Sequence, residues 1–184
     1  MGLEINKAFV KEWASNYDTQ FESGSGHDKS EEEAIRGWLA EQGEPKYLNK
    51  DYFVRLGRWK SARITKHYKA NEEQEVINRT RRAYEATDDL DKLKILLPLK
   101  GVGVPVASTI LHYLQPNDFP IFDYHARTTL NKAGTWSRDI KDASAKSWLE
   151  YVNIMRDLSN ELGVTLRDLD KALFAYDKYP KYRR

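Results

Sequence analysis

An all-α fold is what this sequence predicts. Three observations carry it: apolar residues recur at helical spacing, capping residues stand ahead of several apolar runs, and no stretch alternates apolar and polar residues over a useful strand length. The chain also shows no internal repeat and no low-complexity tract.

In chain order, Ile5, Phe9, Trp13, Tyr17 and Phe21 recur every four positions, one stripe of an amphipathic helix. Ser23-Gly24-Ser25-Gly26 breaks that stripe and reads as a loop. Ser30-Glu31-Glu32-Glu33 reads as a capping box opening a helix that holds Ile35, Trp38 and Leu39 and stops near Gly43 and Pro45. Residues 51–69 are basic and aromatic. Asn71 reads as the cap of a helix through Ala86, and Asp88 or Asp89 opens the next, which carries Leu90, Leu93 and Leu97. A further apolar helix starts near Val104 and buries Val106, Ala107, Ile110, Leu111 and Leu114. Residues 115–120 turn the chain, and Asp123 stands at the start of a helix over 124–130. Trp148, Val152, Met155 and Leu162 mark a long helix, and Thr165-x-x-Asp168 caps a last one carrying Leu166, Leu169 and Leu173.

With 184 residues, 40% of them hydrophobic, the chain can bury one good core, so a single helical domain over 1–184 is expected. The absence of cysteine excludes disulfides and disulfide-linked partners, thiolate zinc sites, iron–sulfur clusters and a thiol nucleophile. No apolar run approaches a membrane span, and Met1-Gly2-Leu3-Glu4 lacks the basic start and apolar core of a signal peptide. Asn6 stands where myristoylation of Gly2 wants Ser or Thr. An intracellular, cytoplasmic protein is expected, with no membrane partner and no cofactor.

The net charge is only +2, but it is unevenly placed. Residues 50–69 hold seven Lys or Arg against one acid, Asp51, and residues 178–184 hold four basic residues and no acid. Residues 28–44 carry six acids against Lys29 and Arg36. Clustered cations suit a polyanion, because each neutralised phosphate releases counterions. The same clusters also suit a solvated helix face and a frayed tail.

The most informative stretch is Leu96-Leu97-Pro98-Leu99-Lys100-Gly101-Val102-Gly103-Val104-Pro105, a leucine-rich helix running into Gly-Val-Gly. So short a turn requires backbone conformations that a Cβ resists, and Gly101 and Gly103 supply them. Bare glycine backbone lets a phosphate approach closely, and the N–H groups of the turn and of the next helix would point at it, helped by the helix dipole. Pro105 fits a first-turn position, where its missing N–H costs little. Lys100 can add a charge to the same phosphate, which makes 100–104 the candidate DNA-binding residues. The same turn also serves as an ordinary helix cap with no ligand.

Asp123 follows Gly103 by twenty positions. Leu-x-Gly-Val-Gly, the following Ala107, Pro120-Ile121-Phe122-Asp123 and Arg127 together resemble the helix-hairpin-helix DNA glycosylase superfamily, over residues 90–132. The resemblance implies two helical lobes with a cleft between them: a helix-hairpin-helix lobe over about 71–135, and a second lobe from the N- and C-terminal helices. It implies that the hairpin holds double-stranded DNA and that Asp123 serves cleavage of a base–sugar bond, in base-excision repair, by a monomer. It offers the main chain of Leu97, Leu99 and Val102 to a monovalent ion. No side-chain metal site is expected, since His27, His67 and His112 are scattered.

Departures from the family pattern narrow the activity. Lys100 stands in place of the usual proline. Members that also cut the backbone carry a lysine two residues after the second glycine, where this chain has Pro105, so the resemblance implies base removal without lyase activity. Arg127 lies one position early in Tyr124-His125-Ala126-Arg127.

Breaking an N-glycosidic bond develops positive charge on the sugar, so a fixed carboxylate stabilises the transition state above the ground state and can orient the attacking water. Asp123 is equally a favoured N-cap, a role worth about 1 kcal/mol without any catalysis. A flipped base needs stacking partners, drawn from Trp13, Tyr17, Trp38, Tyr52, Trp59 and Tyr124, which core packing also explains. Trp59, Lys60 and Arg63 place an aromatic among cations, and His125 can position water or a phosphate. Three readings follow in order: a monofunctional DNA glycosylase, a non-catalytic module binding double-stranded DNA, and a helical interaction domain.

Overall fold

The computed structural model describes residues 2–22 and 29–180, and side chains within 2–19 and 30–180. The 23–26 loop, His27, the side chain of Phe21 and residues 181–184 of the basic tail lie outside the described residues. Ten α-helices and no strand occur among the described residues, so the all-α expectation holds. None of these helices is long and apolar enough to cross a membrane. The chain divides into two units, residues 27–116 and residues 1–26 with 117–184, so the division falls between Pro116 and Asn117.

The first unit runs α2 (Lys29–Ala40), α3 (Lys50–Lys60), a 3-10 turn (Ala62–Ile64), α4 (Thr65–Lys69), α5 (Glu73–Glu85), α6 (Asp89–Leu96) and α7 (Val104–Leu114). Its centre is α7, in which every residue from Val106 to Leu114 is buried. Helices α2, α3, α5 and α6 all pack against it. Ile35, Leu56, Val76, Leu93 and Leu96 line that core, and each such side chain contributes about 1.5–3 kcal/mol by leaving water.

The second unit contains α1 (Lys7–Glu22), α8 (Tyr124–Lys132), α9 (Ala145–Leu162) and α10 (Leu166–Lys178), with α1, α8 and α9 packed on α10. Thr165 caps α10 as its sequence predicts, accepting from Asp168 N–H at 3.0 Å. Asp88 likewise caps α6 through Asp91 N–H at 2.9 Å.

Three starts differ from expectation. Ile5 lies ahead of α1, because Asn6 Oδ1 accepts from Phe9 N–H at 2.9 Å and sets the first turn there. Ser30 lies inside the first turn of α2, where Glu31 pairs with Arg55 of α3 and Glu32 with Arg36 one turn on. Asn71 does not cap α5, whose N-cap is Glu72 without any side-chain bond. The Asn71 amide is taken up elsewhere.

Candidate nucleic-acid interface and active site

Helix α6 ends at Leu96, and the chain closes two tight turns, Leu99 N–H to Leu96 O (3.1 Å) and Val102 N–H to Leu99 O (3.0 Å). Gly101 sits at φ +86°, a conformation an L side chain rarely adopts. A Cβ there would lie 2.8 Å from the Tyr68 ring and 3.2 Å from His67 Cβ. Gly57 of α3 faces the same ring, with a virtual Cβ at 2.7 Å. Tyr68 is fully buried between these two glycines. Gly103 departs from expectation: φ −96° and ψ 179° are open to any residue, and the nearest obstacle to a Cβ is Pro105 Cδ at 3.9 Å. Its glycine leaves a bare surface rather than relieving strain.

Asn71 holds the turn from behind. Lys100 N–H donates to Asn71 Oδ1 at 2.7 Å, and Asn71 Nδ2 donates back to Lys100 O at 3.0 Å. The same Nδ2 lies 3.0 Å from Tyr68 O, which ties the turn to the end of α4. Lys100 is exposed, with Nζ donating to Ala70 O at 3.0 Å.

Gly103 caps α7, its carbonyl accepting from Val106 and Ala107 N–H at 3.0 and 2.9 Å. Pro105 occupies the second position and has no N–H to satisfy. Among the described residues the N–H groups of Gly101, Gly103 and Val104 meet no acceptor. Val102 differs from its neighbours, because its side chain is buried and its N–H is bonded to Leu99 O.

The basic stretch 50–69 separates into two parts. Arg55 forms a two-point bond with Glu31 (2.6 and 2.9 Å) and lies over the Tyr52 ring, which stacks on Trp38 at 4.2 Å. Trp38 and Tyr52 therefore use ring faces on each other. Trp59 is half-buried, edge-on to Tyr113 at 5.9 Å, and Lys60 beside it is half-buried. Arg58, Arg63, Lys66 and Lys69 are exposed and form no ion pair among the described residues.

Asp123 belongs to the other unit. It caps α8, with Oδ1 accepting from His125 N–H at 2.8 Å, and it is half-buried. The segment delivering it is fastened by two groups distant in sequence, Asp170 and Tyr151. Ile121 N–H donates to Asp170 Oδ2 at 2.8 Å, and Tyr151 Oη lies 3.1 Å from Ile121 O and 3.2 Å from Asp170 Oδ1. Burial, and then the nearby Asp170 and Asp123 charges, push the Tyr151 phenol well above its ordinary pKa, so it stays a donor. Behind Asp123, Arg127 is buried over the Phe122 ring at 4.0 Å, donating to Asp123 O (3.3 Å) and Asp142 O (2.7 Å). Burial lowers the Arg127 pKa, opposed by the surrounding Tyr151, Asp123 and Asp142.

His125 is held by Asp177, Nδ1 to Oδ2 at 2.8 Å, and Lys132 bonds the other oxygen of that carboxylate. Tyr124 is 48% exposed, the one large hydrophobic side chain exposed among the described residues, and it adjoins Asp123. Trp13 and Tyr17 are core residues: Trp13 meets Tyr176 at 5.0 Å and Tyr17 meets Phe174 at 5.7 Å. Their rings are unavailable to a base. No group of three or more His, Asp or Glu side chains converges among the described residues.

The signal for Asp170 was present in the sequence as an acid inside the apolar stripe Leu166, Leu169, Leu173. Lys92 gave a similar signal beside Leu93; it is buried with Nζ donating to Ala83 O, Tyr84 O and Gln115 Oε1. Compared with protein-family models, with curated proteins and with solved structures, the chain matches none, so its function is read from these residues alone.

Proposed function

We propose that this chain is a monofunctional DNA N-glycosylase-like repair protein, a monomer working inside the cell on double-stranded DNA. The α6–α7 turn binds the DNA backbone as a helix-hairpin-helix, and Asp123 serves the sugar. The observation that carries the reading is the set of three unbonded N–H groups, of Gly101 in the turn and of Gly103 and Val104 at the start of α7. Such N–H groups favour an anion, and α4, which carries the exposed Lys66 and Lys69, is tied to the turn through Asn71.

For the chemistry, the support is a carboxylate on a braced segment. Asp123 follows a stretch fixed by Asp170 and Tyr151 and backed by Arg127. As the base departs, positive charge grows on the sugar, and a carboxylate already in place stabilises it without reorganising. The same group accepts a proton from the attacking water. Pro105 stands where the resemblance would place the Schiff-base lysine, which supports base removal without lyase activity. Tyr124, exposed next to Asp123, is the aromatic available to a base.

A second reading, a non-catalytic module binding double-stranded DNA, is favoured by the Asp123–His125 capping bond, since capping alone explains an aspartate there. A panel of duplexes with damaged or mismatched bases, treated with alkali after incubation, separates the two. Strand breaks that need both alkali and Asp123 support the glycosylase. Binding without breaks on any duplex supports the module.

A further inference from the structure

We infer that the 3-10 turn and α4 form a second phosphate-binding row that extends the contact of the α6–α7 turn along the backbone of duplex DNA. This rests on the DNA-binding half of the function proposed above. Arg63, Lys66 and Lys69 follow one another at intervals of three. Residues three apart in an α-helix are surface neighbours, so Lys66 and Lys69 share one side of α4, and Arg63 precedes them in the 3-10 turn that leads into it. The opposite side is taken by Tyr68, fully buried, with Ile64 half-buried. All three cations are exposed and form no ion pair among the described residues.

The row has a fixed place relative to the unbonded amides. It ends at Ala70, whose carbonyl accepts from Lys100 Nζ at 3.0 Å, so Lys100 continues it as a fourth cation. The two-way bond between Asn71 and Lys100, with Asn71 Nδ2 also donating to Tyr68 O, ties the end of α4 to the turn. Like charges at this spacing repel and destabilise the free protein slightly, which a polyanion relieves. A row leading into bare glycine N–H groups fits phosphate oxygens spaced along a strand.

The test is the salt dependence of binding to a labelled duplex of mixed sequence, for the unaltered protein, Lys66→Gln/Lys69→Gln, and Lys7→Gln/Lys11→Gln. The last pair removes equal charge from exposed positions on α1. The row variant should flatten the plot of log K against log salt by about 2, roughly one per lysine, and equally on every sequence. The α1 variant should leave the slope unchanged. Binding by the unaltered protein with no change of slope in the row variant, or the same change in both variants, overturns this inference alone. No duplex binding by the unaltered protein overturns the DNA reading with it.

Discussion

The ring of Tyr68 occupies the space that a side chain on Gly101 would need, with a virtual Cβ only 2.8 Å from the ring. The glycine is therefore demanded twice, by its positive φ and by a fully buried neighbour. A left-handed conformation costs an L residue about 1–2 kcal/mol, and overfilling a core costs about 1–3 kcal/mol. Gly101→Ala should accordingly lose roughly 2–4 kcal/mol, a fall in Tm of roughly 5–15 °C for a chain of this size. Gly103→Ala meets neither obstacle and should change stability by no more than about 1 kcal/mol. Thermal unfolding of the two variants checks the contrast, and equal losses would contradict it.

The brace behind Asp123 makes a separate prediction. Tyr151→Phe removes the shared donor to Ile121 O and Asp170 Oδ1, leaving buried acceptors short, and should cost about 1–3 kcal/mol. Asp170→Ala should cost at least as much, since it also strands Ile121 N–H. Because the three groups form one network, the double variant should lose less than the sum of the singles. Urea unfolding of the cycle measures the coupling, and strict additivity would show that the groups act independently.

Stability should also depend on Asp177 in a defined pH range. Burial raises the pKa of its carboxyl, but the bonds from Lys132 and His125 outweigh that and hold it below the ordinary 3.8. A carboxylate depressed in the folded state stabilises the fold above its unfolded pKa, and loses that contribution as pH falls through the folded value. The stability gap between wild type and Asp177→Asn should therefore be full at pH 6 and shrink below about pH 3.8. A gap constant down to pH 2, by urea midpoints, would contradict the pairing.

Local signals were readable and distant ones were not. Thr165, Asp88 and Asp123 cap the helices their positions predict, because a capping bond spans two or three residues and its partners lie in view. Asn71 has the same chemistry yet does not cap α5, because its Oδ1 accepts from Lys100, 29 positions away, and its Nδ2 bonds the carbonyls that end α4. Nothing local distinguishes the two outcomes. Gly101 and Gly103 look alike in sequence, and only the position of Tyr68 makes one strained and the other open. Asp170 and Tyr151 act through Ile121, 49 and 30 residues away, so their role emerges only on folding.

Asp123 carries both the proposed chemistry and a structural bond, and one substitution separates them. Asparagine caps a helix about as well as aspartate, so Asp123→Asn removes the charge and retains α8. The decisive measurement is free base released from the duplex that scores in the alkali panel, quantified by chromatography for wild type and Asp123→Asn at equal duplex binding. The wild type should release base, and the variant should lose at least about a hundredfold, the scale of a missing transition-state charge partner. Equal release by both proteins would contradict it.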